Sequence, residues 1–484
     1  MREAPRDVEG SWWSPASRAS DTRVVEGQLV EPGIKGFWYQ YSNIEALVSE
    51  LGIPSPFTPF TRSSFWSPDG LQVESPIFQD LPRLPAPLGS FVHTAPLFRQ
   101  LPLADRATAA SLVKALLEHD LDGTLYNSYD SQSAYELFSA AGVSKMLYEK
   151  FLAPMLLVTL FAPPTELSAA AALGALYYFA LAHQPDFDVR WCKGPIGELI
   201  FSPLVSRLQS LGVTILGGRR AQQLLPMQDH KTSAIANPSS SSSSSKGQLP
   251  GVVVAKGPDG VLEHHHADVI VLAAGVPALQ QLLRSSPVLA AADDLRGVMN
   301  VNCSDVLAVR LWLQQKLSLR SASNVVAGFD DGVGGTFFQL DKLQDMYKGT
   351  AGSVLEFDMY HAEPLLPLSD EAIIQRMLQT YLAPALPGGV AEASRLTVTD
   401  ASVLRFRNAV TRFSPGSNSQ LPGISTSLPN LFVAGDCVKQ GPGTHGCKGL
   451  SQEKAYVSGL QAGNRAAAHL PWPGPGRPGA ASRA

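Results

Sequence analysis

Hydrophobic positions along this chain switch repeatedly between the spacing of strands and the spacing of helices. Two short alternating pieces from Arg23 predict a hairpin, and residues 44–51 predict a helix that Asn43 caps and Gly52 ends. Turn-forming residues at 68–70 separate two further short strands. Four helices are predicted next, over 103–117, 131–141, 144–160 and 165–183.

The second half of the chain is richer in strands. Residues 213–216 and 251–255 predict two strands of a β-meander, which a Ser-rich insert at 229–249 interrupts. The continuous apolar run at 267–275 predicts a buried parallel strand. Residues 301–413 alternate in several segments, which indicates an antiparallel sheet with one helix at 370–382. This order of segments predicts an α/β protein with mixed α+β character.

Composition and charge narrow the class of protein. The chain has 484 residues, of which 45% are hydrophobic and 17% charged, as in a globular protein of two or three domains. Its net charge of -4 comes without long blocks of like charge, which argues against a nucleic-acid partner. No run of 18 apolar residues predicts a membrane-spanning helix.

Both ends of the chain are polar or rich in Pro and Gly. Residues 1–22 mix Arg with Asp and Glu and resemble neither a signal peptide nor a transit peptide. We expect residues 1–22, the insert at 229–249 and the tail at 471–484 to be disordered.

The clearest chemical pattern lies near the C-terminus. Residues 431–434 suit a buried strand, Gly435 and Asp436 end it, and a Gly-rich loop leads to a helix from about Ser451. A carboxylate next to the unpaired N–H groups of a helix start is suited to binding a dinucleotide or an anionic ring. The plainer alternative is a strand–turn–helix unit in which Asp436 caps the helix.

This stretch resembles the C-terminal flavin-binding signature of the FAD-dependent amine oxidase and phytoene desaturase superfamily. Gly435-Asp436 matches its first part, and Gln452 to Gly459 is similar to its second part. The resemblance implies an FAD cofactor, with the Asp on its ribityl–pyrophosphate part and the helix start facing the flavin ring. The cofactor-binding residues that it implies are Gly435, Asp436, Gln452, Glu453, Lys454, Ala455 and, on the adenine side, Ala221.

Two residues depart from that signature. Cys437 follows the Asp where relatives commonly have Trp or an Ala-like residue, and Lys454 replaces a Gly at the helix start. The Lys adds a cation near the expected edge of the flavin, where negative charge develops on reduction.

The resemblance also implies a Rossmann-like FAD-binding domain that is interleaved with a substrate domain of antiparallel sheet and helices. The FAD-binding domain is predicted at 23–60, 187–300 and 414–470, and the substrate domain at 61–186 and 301–413.

One expected unit is missing from the first 60 residues. A dinucleotide site normally begins with a strand, a G-x-G-x-x-G turn, a helix and a second strand, in that order. The first 60 residues do not contain this combination. Either the polypeptide is shortened at its N-terminus or it has lost the nucleotide half of its site. Residues 441–446 match the glycine spacing, but Pro442 argues against a pyrophosphate turn, so we interpret them as a loop that flanks the flavin.

The function that the resemblance implies is an FAD-dependent oxidoreductase acting on an apolar, carotenoid-like polyene in the chloroplast, by desaturation or isomerisation. Two alternatives stay open, a flavin amine oxidase for a small amine and a non-catalytic binding or structural protein. His445, in the flanking loop, is the candidate for a polar group near the ring, although stabilising the loop is its more ordinary role.

Other polar and aromatic groups have ordinary interpretations. The triplet at 264–266 is predicted to be a polar strand edge, since no carboxylate or Cys lies at metal-ligand spacing. The aromatic residues at 177–179 are predicted to pack in the core, and the alternatives are a lining for an apolar substrate or peripheral contact with a membrane. His361, Arg405, Arg407 and Arg412 lie on or near the predicted strands, where solvated side chains are expected and a catalytic role for one of them is the alternative.

Overall fold

A computed structural model describes residues 23–25, 28–85, 89, 92–93, 97, 101–227, 249–441 and 448–470. The insert at 229–249 lies almost wholly outside these residues, as do both predicted disordered ends, Cys447 and His445.

The largest element is a seven-stranded sheet with the strand order β15-β11-β14-β13-β12-β4-β5. Its strands are β4 (Ser63–Ser67), β5 (Gly70–Ser75), β11 (Cys303–Leu313), β12 (Ser323–Asp330), β13 (Val333–Gln339), β14 (Val354–Tyr360) and β15 (Val398–Thr411). All neighbours pair antiparallel except β12 and β4, which are parallel. The antiparallel sheet predicted at 301–413 is therefore confirmed, and the hairpin at 68–70 extends it.

The described residues also form four smaller sheets. They pair β1 (Arg23–Val25) with β2 (Gln28–Val30), β3 (Gly36–Trp38) with β6 (Val189–Trp191), β7 (Arg220–Pro226) with β8 (Pro250–Lys256) and β9 (Leu262–His266), and β10 (Ile270–Leu272) with β16 (Leu431–Val433). The last pair is parallel, as the apolar run at 267–275 predicted. The three histidines of β9 lie on an edge strand of the meander, also as predicted.

The helices are mostly short. They are α1 (Ser42–Leu51), α2 (Leu103–Ala107), α3 (Val113–Glu118), α4 (Gly123–Asp130), α5 (Ala134–Ala140), α6 (Lys145–Leu147), α7 (Ala153–Leu160), α8 (Ala169–Leu176), α9 (Ser202–Ser210), α10 (Val276–Ser285), α11 (Leu340–Leu343), α12 (Asp370–Arg376), α13 (Gly389–Ala393) and α14 (Gln452–His469). π-helical turns extend or join several of them, at Tyr148–Leu152, Tyr177–Leu181, Gly197–Phe201 and Met377–Leu382. Within the described ranges, no helix has the length and apolar character needed to cross a membrane.

The two largest apolar clusters of the described residues connect these strands and helices. One lies under the seven-stranded sheet, where Leu307, Phe337 and Phe357 pack against Ile373 and Tyr381 of the segment at 370–382. The other joins the helices at 134–181 to the parallel pair β10–β16. Every residue of β13 and β14 is buried, so these central strands lack the half-exposed alternation of a one-sided sheet.

Four local predictions are wrong or imprecise, and one of them is the Asn43 cap, since Asn43 lies inside α1 and the N-cap is Tyr41. Residues 213–216 form no strand, and Val213 and Leu216 are about half exposed, because no described strand pairs with them. The helix predicted at 103–117 divides into α2, a 3-10 turn and α3. The helix predicted from residue 131 begins at Ala134, because Ser133 and Glu136 form a capping box there.

Candidate functional site

The parallel pair brings the Gly435–Asp436 turn to the carboxyl edge of the small sheet. The register runs from Ile270 opposite Leu431 to Leu272 opposite Val433. Gly435 follows with φ of 129°, a backbone conformation that residues with a Cβ rarely adopt. The chain therefore turns sharply just beyond the strand end, which is where open α/β sheets bind ligands.

Asp436 is a buried acid with several donors around it. It is 5% exposed, and its carboxylate accepts hydrogen bonds from its own N–H, from the N–H of Cys437 and from the Thr411 hydroxyl. Burial raises the pKa of Asp436, while the Lys454 ammonium and these hydrogen bonds oppose the shift. Burial and the neighbouring Asp436 charge raise the pKa of the Cys303 thiol to about 12.

The start of α14 lies next to this turn. The Ser451 hydroxyl accepts a hydrogen bond from the Lys454 N–H at 3.3 Å and so caps the helix. Ser458, one turn along the helix, accepts the Gly435 N–H at 2.9 Å. Turn and helix are thus joined by direct hydrogen bonds.

Lys454 extends its side chain into the protein rather than into solvent. The residue is 2% exposed, and its ammonium donates to the Lys448 carbonyl oxygen at 2.9 Å. The same nitrogen lies 5.0 Å from the centre of the Phe413 ring, within the range of a cation–π contact. A buried cation therefore lies close to the buried Asp436 carboxylate.

The first two residues of α14 bind a different segment. Gln452 donates from Nε2 to the Gly36 carbonyl oxygen at 3.2 Å. The Glu453 carboxylate accepts the backbone N–H of Asn43 at 2.8 Å and that of Ile44 at 3.1 Å. These two side chains are therefore engaged in holding β3 and α1 against α14.

The remaining predicted site residues lie elsewhere or outside the described chain. The Ala455 N–H makes an ordinary helical bond to the Ser451 carbonyl oxygen at 3.1 Å. Ala221 is exposed on β7 and pairs with Ala255 in the meander. Of the predicted set, the structure thus brings Gly435, Asp436 and Lys454 together at the turn.

Two residues of the site were not singled out from the sequence. Ser458 lies four residues after Lys454, so helical spacing places it on the same face, and that spacing was a usable signal. Thr411 comes from the far end of β15, and nothing in the local sequence indicates its contact with Asp436.

A narrow surface crevice adjoins the turn. It is lined by Asp436, Thr411 and Cys303. The first residues of α10, the helix that follows β10 along the chain, also line it. The buried carboxylate and the nearby helix start suit the polar ribityl and ring end of a flavin. The crevice has no enclosed space for even one water molecule, far below the roughly 300–1,000 Å³ of common ligand pockets, so neighbouring side chains would have to move before a flavin could enter it.

A second crevice is lined in part by Phe413 and has a volume of about 10 Å³, close to the space that one water molecule needs. Ala171 of α8 and Tyr126 contribute apolar surface to it, while Asp130 and Lys448 contribute charge. The Phe413 ring thus lines the second crevice and also contacts the buried cation of Lys454.

The charged side chains predicted near the strands of the large sheet form ion pairs. Arg412 bridges Glu166 and Glu363, and His361 Nε2 lies 3.2 Å from Glu166 Oε1. Arg405 and Arg407 pair with Asp370 and Asp305. Arg405 joins β15 to α12, Arg407 joins β15 to β11, and Arg412, at the end of β15, joins it to the turns that hold Glu166 and Glu363. These are ordinary structural roles.

Comparison with known proteins identifies relatives along most of the chain. The probable zeta-carotene desaturase of Synechococcus elongatus is 22% identical over 439 residues, which cover 86% of this chain and 85% of that protein. The zeta-carotene desaturase of Solanum lycopersicum is 24% identical, with 86% of this chain and 69% of that protein covered.

Solved structures of similar fold include cyclohexylamine oxidase from Brevibacterium oxydans. It has a TM-score of 0.58 and 12% sequence identity, and the match covers 91% of this chain and 88% of that one. An oxidoreductase from Methanosarcina mazei has a TM-score of 0.57 and 13% identity, with 92% and 91% covered. At such identities these structures support the fold.

The family model for flavin containing amine oxidoreductases matches residues 17–466. That range includes both parallel strands, the Gly435–Asp436 turn and nearly all of α14. The resemblance inferred from the C-terminal signature is thereby confirmed, and the chain belongs to the flavin containing amine oxidoreductase family of FAD-dependent oxidoreductases.

Proposed function

We propose that this protein oxidises or isomerises an apolar, carotenoid-like polyene, with FAD bound through its flavin end at the Gly435–Asp436 turn. The observation that carries this proposal is the position of Asp436. Its buried carboxylate lies at the carboxyl end of a parallel strand, beside the start of an 18-residue helix.

FAD would supply the reversible uptake of two electrons and a proton, chemistry that side chains alone do not provide. Asp436 would hold polar groups of the cofactor by accepting their hydrogen bonds. Ser458 fixes the Gly435 backbone, and Thr411 orients the Asp436 carboxylate, so both residues would act by positioning the turn.

An apolar substrate fits the relatives and the helical wall near the site. Both desaturases above are named for a carotene. All eight residues of α8 are buried and apolar, and Ala171 of this helix reaches the second crevice. A polyene offers few groups for hydrogen bonding, so shape and apolar contact would have to orient it.

Cofactor binding is tested by titrating the purified chain with FAD and recording the visible absorbance of bound flavin. Asp436→Ala should weaken binding at least about tenfold, since a charge-assisted hydrogen bond is lost. Asp293→Ala, at a side chain that is 81% exposed, serves as the control. Failure of the unaltered chain to bind FAD would overturn the proposal. If Asp436→Ala binds FAD as tightly as the unaltered chain does, the FAD site does not include Asp436.

Substrate class is tested separately, under anaerobic conditions with FAD bound. A C40 polyene should bleach the flavin or yield an isomerised product, while small primary and secondary amines should leave it oxidised. Bleaching by the amines alone would overturn the polyene assignment and favour an amine oxidase.

We also propose a plastid location and peripheral contact with a membrane. Plant relatives are named as chloroplastic or chromoplastic proteins. Leu103, Leu117 and Leu121 lie within 19 residues of one another along the chain and are 73%, 69% and 70% exposed, so each offers an apolar side chain that lipid could cover.

A further inference from the structure

The crevice beside Asp436 lies between two walls that come from different parts of the fold. One wall consists of the start of α10 together with Asp436 itself, and the other consists of Cys303 on β11 and residues 409–411 on β15. The described residues leave no enclosed space between these walls for a water molecule. A ligand could therefore reach Asp436 from this side only if one wall moved.

The wall on β15 belongs to a β-bulge. Phe406 pairs with Val306 of β11. The next pair along the two strands is Val410 with Ser304. One residue of β11 therefore lies opposite residues 407–409 of β15, so β15 has two more residues here than a regular ladder needs.

The extra residues give the β15 wall room to move. Two residues supply up to about 7 Å of chain, because an extended residue spans roughly 3.3–3.6 Å. A planar ring placed between two walls in contact moves them apart by about 3.5–4 Å, the distance of ordinary carbon contacts. The bulge therefore has enough chain for this wall to move by the thickness of a ring while both of its ends stay in place.

Both ends of the bulged segment are fixed. Phe406 lies in the ladder with β11 and is buried. Arg412 donates to the Cys303 carbonyl oxygen at 3.0 Å and to the Ser304 hydroxyl at 3.2 Å, in addition to its ion pairs. Movement would therefore be confined to the residues between these two positions.

Between the fixed ends, the backbone is strained and is held by side chains. Asn408 has φ of 50°, a conformation that residues with a Cβ rarely adopt. Its N–H donates to the Asp305 carboxylate at 2.7 Å instead of to a backbone carbonyl of β11. The Thr411 hydroxyl donates to Asp436 and so joins the segment to the opposite wall. Strain of this kind is found where a protein changes conformation.

We infer that residues 407–411 form a gate to the crevice beside Asp436, which the hydrogen bond between Thr411 and Asp436 keeps closed. The structure shows the closed gate. When open, it would admit a flat ring whose polar edge meets the Asp436 carboxylate. That this ring is a flavin rests on the proposed function, whereas the opening of the gate does not.

Opening is measured through Cys303, which lines the crevice. Its modification by N-ethylmaleimide is followed by peptide mass spectrometry, which distinguishes it from the other three cysteines. Thr411→Val keeps the shape of the side chain and removes the hydroxyl, so modification should become about fivefold faster, the effect of losing one hydrogen bond. Thr399→Val makes the same change near the other end of β15 and should leave the rate unchanged.

FAD provides the second arm of the experiment. Saturating FAD should slow the modification of Cys303, because the ring occupies the open crevice. If Thr411→Val is modified no faster than the unaltered protein, the gate is overturned, whether or not FAD binds. If Thr411→Val is modified faster but FAD does not protect Cys303, the gate stands and the flavin is not bound at this crevice.

Hydrogen exchange tests the gate in the unaltered protein, in case Thr411→Val fails to fold. Among amides that donate hydrogen bonds, those at 408–412 should exchange at least about tenfold faster than those at 403–406, which lie in the regular ladder. Equal protection of the two segments would overturn the gate.

Discussion

At the scale of single residues, the most demanding feature is a group of buried charges where the segment at 31–35 meets the large sheet. Its members are Glu31, Lys35, Arg310, Glu356 and Asp358. Glu356 is fully buried and lies 2.5 Å from Arg310 Nε, while Asp358 accepts the Ile34 N–H at 3.2 Å. Gly33 permits this approach, because a Cβ there would lie 2.7 Å from Asp358.

Three acids and two bases in one dry region cannot all be ionised at low cost. Glu356 Oε1 and Asp358 Oδ1 have no hydrogen-bond partner among the residues that the structure describes. Burial, and then the neighbouring Glu356 charge, raise the pKa of Asp358 to about 8. At neutral pH, Asp358 therefore holds a proton in the folded protein that it would lose in the unfolded chain.

The stability of the protein should consequently depend on pH through Asp358. The unfolded carboxyl releases its proton near about pH 4, whereas the folded one retains it to about pH 8. Stability from this group is complete below pH 4 and is lost as pH rises toward 8, with a limiting slope of about 1.4 kcal/mol per pH unit. Asp358→Asn should flatten this dependence, as measured by urea unfolding at several pH values.

Asp293→Asn is the matched control for that measurement, because its side chain is 81% exposed. Its unfolding free energy should follow the unaltered protein at every pH. Parallel curves for Asp358→Asn and the unaltered protein would show that Asp358 is not the group responsible.

At the scale of elements, α1 and α14 are joined by one carboxylate. The sequence predicted that Asn43 caps α1, and this prediction is wrong. The N-cap is Tyr41, which makes no side-chain cap, and Asn43 lies inside the helix. The cap comes instead from Glu453, which accepts the Asn43 N–H, the Asn43 side-chain amide and the Ile44 N–H. A local pattern could not show this, since the cap is 410 residues away.

Glu453→Ala should therefore destabilise the protein by about 1–3 kcal/mol, because buried N–H groups lose their acceptor. The free energy of unfolding in urea checks this, with Glu50→Ala as the control at an exposed position of α1. FAD affinity should change less than in Asp436→Ala, since the Glu453 carboxylate is already engaged by α1. A loss of FAD binding without a loss of stability would instead support its predicted role in the cofactor site.

At the scale of the whole molecule, the sequence predicted correctly those helices and strands that local hydrophobic spacing is sufficient to define. It failed for features that depend on contacts between distant segments. The helix at 44–51, the parallel strand within 267–275 and the sheet at 301–413 followed from hydrophobic spacing. The strand at 213–216 failed because a strand needs a partner, and no described strand provides one. Contacts such as Thr411 with Asp436 depend on tertiary packing alone. The division into two interleaved domains stays a prediction.

The arrangement of the apolar surface at this scale leads to a prediction for the proposed membrane contact. Leu117 and Leu121 are about 70% exposed, and burying each leucine in lipid contributes roughly 1.5–3 kcal/mol. The double change Leu117→Glu and Leu121→Glu should reduce co-sedimentation with phosphatidylcholine–phosphatidylglycerol vesicles at least about tenfold. Leu262→Glu, at a 55% exposed position on β9, should have little effect. If both variants lose vesicle binding to the same extent, the binding reflects general surface charge. If the unaltered protein does not bind vesicles, membrane contact is removed from the proposal.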